Sequence, residues 1–295
     1  MSDTPKGGRR DTPLPGRATA LSLTGRKSQP EKEKTPNLTI NVTDGTLIPS
    51  PGEKSILSAW NIAFFGAIAA ILLLRFASPK PYAEILAFVP DGLIATFEVT
   101  LASIAFALVL GLLAGLGRIA KTRPINLVAT IYVEVVRGIP LLIQIFYIYY
   151  ALGPLLKLPG PASAIMAVSI CYGAYMGEIF RAGIQSIPKG QMEAALALGM
   201  SRTQALWRII LPQTVKVILP PIGNEFIALL KDSSLVSIIA IADLSRRGKE
   251  YASTTFNYLE TFTVIALIYL ILTLGFSRLV GLMEKRLRRN GQKHD

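Results

Sequence analysis

The sequence predicts an all-α polytopic membrane protein with about six transmembrane helices. The chain of 295 residues is 51% hydrophobic and 17% charged, and its mean hydropathy is +0.45. It is therefore too apolar for an ordinary soluble domain and too charged to be embedded throughout. A bilayer span needs roughly 20 mostly apolar residues. The stretches that reach or approach this length are 56–76, 93–117, 127–151, 161–182, 215–240 and 259–282.

The N-terminal region is polar and precedes a span that differs from the others. Residues 1–54 are rich in Pro, Gly, Ser, Thr and charged residues, which cannot bury enough apolar area to offset the entropy of ordering. No short apolar region with a cleavage site directly follows a basic start, so a secretory signal is not expected. We predict a disordered cytoplasmic tail over 1–54, an additional transmembrane helix over 55–80 that packs at the edge, and a cytoplasmic tail over 286–295.

The positions of Lys and Arg predict the orientation in the membrane, because short cytoplasmic loops carry an excess of both. Basic residues are frequent in the N-terminal tail, at 118–126, at 183–214 and at the C-terminal end. This predicts a multi-pass membrane protein with both termini and the 183–214 loop in the cytoplasm. A basic group at 246–249, on the opposite side, is an exception. The same bias accounts for the net charge of +12, so no nucleic-acid partner is predicted.

The composition leaves little room for catalytic or metal-binding chemistry. Cys171 is the only cysteine and His294 the only histidine, so disulfides, cysteine-cluster metal sites and histidine-based triads are not expected. The segment from Gly115 to Thr122 nearly spells a P-loop, but Ala120 replaces the last glycine and Pro124 follows. We predict no catalytic residue, no metal and no cofactor, and we expect any ATP hydrolysis in another chain.

A polar, helix-forming segment lies between two apolar ones, from Gln191 to Pro212. The signals for the first helix are a Ser that can cap it, a Pro at its first position and a Gly that ends it. A Ser/Gln capping box starts a second helix, and a Leu-Pro pair ends that one. In order, these residues are Ser186, Pro188, Gly199, Ser201, Gln204, Leu211 and Pro212. This helix-glycine-helix unit is also similar to a DNA-binding helix-turn-helix.

The spacing of Glu193-Ala194-Ala195, Gly199, Ile209 and Leu211-Pro212 resembles the EAA signature of ABC importer permeases. The resemblance implies the type I ABC importer permease fold, in which the first helix of the loop is a coupling helix in a groove of a separate cytoplasmic ATPase subunit. It also implies a location in the bacterial inner membrane, with a second permease subunit and an extracytoplasmic substrate-binding protein as partners. The implied coupling residues are Glu193, Ala194, Ala195, Gly199, Arg202, Leu211 and Pro212.

Three further segments, 133–150, 174–195 and 222–239, resemble the polar amino-acid permeases of the histidine/glutamine type. The likeness implies a transmembrane domain over 88–285, with its coupling loop at 183–214, and an amino-acid substrate. Members of that branch commonly have five spans, so the 56–76 segment is a departure. Which amino acid is carried stays open, as does the choice between a homodimer and a paralogous partner.

Polar and ionisable residues inside the spans are candidates for the substrate pathway, because charges are costly in lipid. Glu134 and Arg137 are three residues apart and are expected to pair within one helix, and the same spacing relates Glu178 to Arg181. The pathway candidates are Glu98, Arg137, Gln144, Glu178, Asn224, Glu225, Lys231, Asp232 and Ser233.

Glycines at small-xxx-small spacing predict close packing between spans. One pair is Gly111 with Gly115, and the other is Gly173 with Gly177. Helix packing is the role expected for both pairs.

The leading prediction is a non-enzymatic permease subunit that forms a translocation pathway and couples to a separate ATPase. One alternative is an ion-driven secondary transporter, which would carry inverted repeats, and 93–182 and 215–282 show no convincing repeat. The other is a membrane-tethered DNA-binding regulator. Fewer than ten residues separate the 191–212 unit from a span on each side, which leaves no room for a soluble three-helix domain.

Overall fold

The structure is a computed structural model that describes the backbone of residues 58–291. The tail predicted over 1–54 lies outside these residues, and the one predicted over 286–295 begins inside the last helix. No β-strand occurs within 58–291. The α-helices of this part are α1 (Ala59–Ala77), α2 (Pro79–Phe88), α3 (Gly92–Ile119), α4 (Arg123–Gly138), α5 (Leu141–Phe146), α6 (Gly153–Leu156), α7 (Gly160–Ser186), α8 (Lys189–Ala197), α9 (Arg202–Ala205), α10 (Leu211–Asp232), α11 (Leu244–Thr255) and α12 (Tyr258–Gly291).

Four segments within residues 58–291 are irregular helix. Two of them, Val89–Asp91 and Ser233–Ile239, are 3-10 helices. The other two, Tyr147–Leu152 and Leu206–Ile210, are π-helical and continue α5 and α9 without a break in the helical path. Irregular turns of this kind are frequent at functional positions of helices.

The all-α polytopic membrane fold is confirmed. Among the described residues, α1, the stretch 79–119, α7 and α12 are long and apolar enough to cross a membrane. The pair Arg123–Gly138 and Leu141–Leu156 would be a fifth span, bent by 105°. The predicted span at 215–240 coincides with α10 and the 3-10 helix after it, which are too polar to be recognised as a span by apolarity alone.

Helices α3 and α7 pack closely at the centre of the fold, as the glycine spacing predicts. A Cβ added at Gly111 would overlap the Cβ of Met176, and one added at Gly115 would overlap the Cβ of Phe180. Met176 and Phe180 both belong to the larger of the two apolar core clusters in the described residues. The small residues therefore let two membrane helices approach until side chain meets backbone.

We expect Gly111→Leu to destabilise the folded chain by about 3 kcal/mol, because overpacking a filled helix contact costs roughly 1–3 kcal/mol or more. Thermal unfolding of the purified full-length chain in detergent measures the effect. Gly275→Leu is the matched control, because a Cβ at Gly275 meets nothing within 4 Å. Equal melting temperatures for the two variants would contradict the close packing.

Helix α1 packs at the edge of the fold, against α12. The indole Nε1 of Trp60 donates to the carbonyl oxygen of Leu274 at 3.1 Å, and the guanidinium of Arg278 lies 5.2 Å from the centre of the Trp60 ring. Only Trp60 and Ala67 of α1 are buried. The helix thus touches the rest of the protein along a narrow strip, with the remainder of its apolar surface exposed.

The two ends of the helical bundle differ. At one end, called the loop end, lie α8 and α9 of the 183–214 loop. At the other, called the far end, α11 packs against α2, α3 and α12. Asp243 caps α11 by accepting from the backbone amide of Arg246 at 2.9 Å, and the Tyr251 hydroxyl donates to Glu84 of α2 at 3.1 Å.

Candidate functional site

The first helix of the 183–214 loop ends as predicted but begins differently. Gly199 has a φ of +81°, the left-handed geometry that ends a helix at glycine, and the backbone amide of Met200 donates to the Ala195 carbonyl at 3.1 Å. At the other end, α8 starts at Lys189 without a side-chain cap. The expectation that Ser186 caps it is wrong, because its hydroxyl donates to the Gly183 carbonyl at the end of α7.

The second helix of the loop has the predicted capping box. The backbone amide of Gln204 donates to the Ser201 hydroxyl at 3.2 Å, and the backbone amide of Ser201 donates to the side-chain oxygen of Gln204 at 2.8 Å. The expectation that Leu211-Pro212 ends this helix is wrong, since the helical path continues through the π-helical segment into α10. Pro212 is the second residue of α10 and directly follows the π-helical segment Leu206–Ile210 and Leu211.

The predicted coupling residues are divided between surface and interior. Glu193, Ala194, Gly199, Arg202 and Pro212 are exposed. By contrast, Ala195 and Leu211 are buried, at 4% and 8% exposure. These two can hold the loop against the bundle, whereas the exposed five are accessible to another molecule. Within residues 58–287, no hydrogen bond or ion pair of the Glu193 side chain is found.

A cluster of charged side chains joins three helices near the loop end. Arg118 of α3 contacts Glu178 of α7 at 2.6 Å and Glu134 of α4 at 3.1 Å. Glu178 also pairs with Arg181, as the sequence predicts. The predicted pair of Glu134 with Arg137 is wrong, since Glu134 reaches across to α3 instead. Arg118 and Glu178 are largely shielded from solvent, with side-chain exposures of 14% and 27%, so their contact is the stronger of the two interhelical bridges.

The break between α4 and α5 is stabilised by Gln144. Its side-chain nitrogen donates to the carbonyl oxygens of Val136 and Ile139, both at 2.8 Å. These carbonyls are near the end of α4, where Pro140 prevents the helix from continuing. A broken helix at membrane depth needs such partners for its freed carbonyls. Gln144 is buried and is not among the residues that line the adjacent cavity.

A cavity of about 420 Å³, here called the central cavity, lies between this break, α7 and α10. Charged side chains enter it from two helices: Arg137 from α4, and Glu225 and Asp232 from α10. The Tyr172 hydroxyl donates to Asp232 at 2.8 Å, and the Arg137 guanidinium lies 5.2 Å from the centre of the Tyr175 ring. Arg137 makes no ion pair with a described residue. The cavity thus offers a ligand one cation from α4 and two carboxylates from α10.

Three of the nine pathway candidates, Arg137, Glu225 and Asp232, are brought together in the central cavity. Glu178 belongs to the charged cluster and Glu98 lines another cavity at the far end. Three further candidates do not line the central cavity: Asn224 and Lys231 are exposed, and Ser233 is buried with its hydroxyl on the Leu230 carbonyl.

Sequence reasoning missed two aromatic residues of the cavity, Tyr172 and Tyr175. Both line its wall on α7, and both contact charged candidates. Their three-residue spacing places them on one face of the helix, which was an available signal. Nothing in the sequence indicates that this face meets Arg137 and Asp232.

Comparison with known proteins gives concordant results. The profile of the family described as binding-protein-dependent transport system inner membrane component matches residues 107–289, more than half of the chain. The L-cystine transport system permease protein TcyB of Bacillus subtilis is 41% identical over 202 residues, which cover 67% of this chain and 86% of that protein. The glutamine transport system permease protein GlnP of Escherichia coli K12 is 38% identical over 202 residues, covering 67% of this chain and 92% of that protein.

Solved structures agree with the sequence comparisons. The crystal structure of an amino acid ABC transporter with histidines matches with a TM-score of 0.65 and 41% identity, over 72% of this chain and 98% of that one. A chain of the MetNI methionine ABC transporter in an inward-facing conformation has the same fold, with a TM-score of 0.59 at 20% identity. The chain belongs to the family of inner membrane components of binding-protein-dependent transport systems, the permease subunits of ABC importers.

Proposed function

We propose that this chain forms the pathway by which an ABC importer moves a polar amino acid into the cell. The central cavity carries the proposal. An amino acid presents a carboxylate and an ammonium a few ångströms apart, and the cavity lining contains Arg137 for the first and Glu225 and Asp232 for the second. Charge-assisted hydrogen bonds to the carboxylate and to the ammonium would replace the water that a zwitterion loses on entering the membrane. The amino-acid names of the relatives, cystine, glutamine and arginine, support the same substrate class.

The energy for transport is proposed to come from a separate cytoplasmic ATPase that binds α8. Glu193 and Ala194 offer an exposed carboxylate and a small side chain there, and Gly199 fixes the bend to α9. Arg202 and Pro212 complete the exposed surface, and the buried Ala195 and Leu211 support it from within. Closure of the ATPase pair would push α8 and turn the pathway outward by a rigid-body movement.

The proposed assembly contains two permease subunits, identical or paralogous, and an extracytoplasmic binding protein that delivers the substrate. In this arrangement the loop end and both termini face the cytoplasm, and the far end faces outward. The transmembrane domain is 88–285, and the helix at 55–80 is an addition at its edge. The narrow contact of α1 with α12 supports this division, since the remaining helices pack without it.

Co-purification and hydrolysis assays test the proposal. The full-length chain is co-expressed with its candidate ATPase, reconstituted, and supplied with the binding protein and single amino acids. We expect the chain to co-purify with the ATPase and at least one polar amino acid to stimulate ATP hydrolysis. Uptake that persists without any ATPase, driven by an ion gradient, would overturn the proposal in favour of a secondary transporter.

A further inference from the structure

A second cavity, here called the far-end cavity, has a volume of about 370 Å³ and lies nearer to α11 than the central cavity does. Its wall combines the first turns of α3 and α7 with Tyr149 and the segment 239–242. Among the described residues that line it, Glu98 is the one acidic side chain, and there is no basic side chain. The rest of the wall is mostly small and apolar.

Glu98 lacks a partner where one would be expected. It lies six residues into α3, about 9 Å from the start of a membrane-spanning helix. A carboxylate at such a depth is normally paired or faces a watery path that carries ions or substrate. Within residues 58–287 it has no hydrogen bond or ion pair. By contrast, Glu84 accepts a hydrogen bond from Tyr251, and Glu250 pairs with Arg246 and Arg247.

The two cavities are stacked along the same three elements. The segment 141–149, the helix α7 and the segment 232–239 each line the central cavity near one end and the far-end cavity near the other. Along α7, Ile165 of the far-end cavity and Tyr172 of the central cavity are seven residues apart, which corresponds to about 10 Å. The cavities are thus close enough for successive occupation by one small molecule.

An apolar septum separates the two cavities. Midway along each shared element lies a fully buried residue, Ile145, Val168 or Val236, and all three belong to one core cluster. A charged molecule in the far-end cavity therefore cannot reach Asp232 until these side chains part. The far-end cavity is closed toward the central cavity in this structure and can hold a ligand independently of it.

We propose that the far-end cavity is a binding site for the ammonium group of an incoming amino acid, held by the Glu98 carboxylate and the face of the Tyr149 ring. The Glu98 side chain is exposed, so a cation that enters the cavity can reach it, and the apolar walls beside the carboxylate focus its field. An aromatic face adds cation–π attraction. The site would hold the substrate after its release from the binding protein and before the septum opens. The proposal rests on the outward orientation of the far end in the proposed function.

Cysteine reactivity tests the site without requiring transport. Cys171 is the only cysteine, so Cys171→Ser with Ala242→Cys places a single reactive thiol at the exposed wall residue Ala242. The full-length chain in its assembled transporter, in right-side-out vesicles without binding protein, is treated with two impermeant reagents. One is the cation 2-(trimethylammonium)ethyl methanethiosulfonate, and the other is the anion 2-sulfonatoethyl methanethiosulfonate. The ratio of their rates is normalised to that at Ser253→Cys, an exposed reference site on α11.

The expected normalised ratio is about tenfold in favour of the cation, the lower end of the enrichment found in charged clefts. A nearby carboxylate slows thiolate formation equally for both reagents, so the ratio reports attraction of the reagent alone. Glu98→Gln should abolish the preference, whereas Glu98→Asp should keep it. Asp91→Asn is the matched control, because Asp91 is exposed at the same end but does not line the cavity.

A normalised ratio near one, or a preference that survives Glu98→Gln, would overturn the proposal. The assay also separates this proposal from the function on which it rests. If no amino acid were transported, the cation preference could still be read at Ala242→Cys. If transport were confirmed and the preference absent, only the far-end site would be wrong.

Discussion

Uptake is expected to fall to background when Glu193 is replaced by lysine. Glu193 is exposed on α8 and has no partner among the described residues, and lysine forms helices about as well as glutamate. The chain itself should therefore fold and insert normally. We propose that Glu193 pairs with a basic group of the ATPase, so the substitution turns attraction into repulsion, and like charges across an interface cost several kcal/mol. Substrate-stimulated ATP hydrolysis and uptake by the reconstituted transporter measure the loss, and membrane fractionation measures insertion.

Gly199→Asp should give the same loss for a different reason. A Cβ at Gly199 meets nothing within 4 Å in this chain, and aspartate tolerates a positive φ better than most residues. The substitution should therefore lower the stability of the chain itself by about 1 kcal/mol, the lower end of the range for a non-glycine residue in left-handed geometry. Any larger effect must come from the new side chain meeting a partner.

Thr203→Lys provides the control for both variants. Thr203 is exposed on α9 of the same loop and outside the proposed coupling residues, so coupled activity should be kept. Normal coupled activity in Glu193→Lys and Gly199→Asp would contradict the coupling role of α8. An equal loss in Thr203→Lys would show that the whole loop, rather than α8, is sensitive to charge.

The loop shows which structural features local sequence signals can predict. Gly199 and the Ser201–Gln204 capping box were predictable because their hydrogen bonds and torsion angles involve residues within one turn. The continuation of the helix past Pro212 was not predictable in the same way. It depends on the π-helical segment Leu206–Ile210, which carries the helical path from α9 into α10.

The same distinction holds inside the membrane. Apolar length predicted the spans of α1, α3, α7 and α12, and glycine spacing predicted the contact of α3 with α7. The partner of Glu134 was predicted wrongly, because Arg137 is near in sequence whereas Arg118 is near in space. Of the polar candidates, the sequence could not distinguish Gln144, which binds the freed carbonyls of the break, from Arg137, which faces the cavity. That distinction depends on the 105° bend between α4 and α5, which sets the directions of the two side chains.

The second large effect is expected in the central cavity, where Asp232→Asn should reduce uptake by roughly 10- to 100-fold. This corresponds to loss of one hydrogen bond to a charged group, about 1.5–3 kcal/mol, at 1.36 kcal/mol for each factor of ten. Asparagine keeps an oxygen that can accept from Tyr172, so the local geometry is retained while the charge is removed. Initial uptake rates at limiting substrate measure the change, and co-purification with the ATPase verifies assembly.

Tyr172→Phe is the matched control, because it removes the hydrogen bond to Asp232 that Asp232→Asn keeps, and it leaves the Asp232 charge in place. That bond lies within the protein and is already made without substrate, so its loss should change substrate binding little, and uptake should fall by less than about tenfold, or 1.36 kcal/mol. If Tyr172→Phe were as harmful as Asp232→Asn, the carboxylate would serve to position Tyr172 rather than to bind substrate.

Arg137 extends the argument to the other end of the substrate. Its guanidinium has no carboxylate partner among the described residues, and its contact with the Tyr175 ring leaves donors available to a ligand. The parent transporter should therefore prefer a free amino acid to its carboxamide, which lacks the negative charge. Arg137→Gln should remove most of this preference while Asp232→Asn keeps it, because each variant loses the contact with one end of the zwitterion. Equal loss of the preference in both variants would mean that the cavity senses net charge and does not orient its substrate.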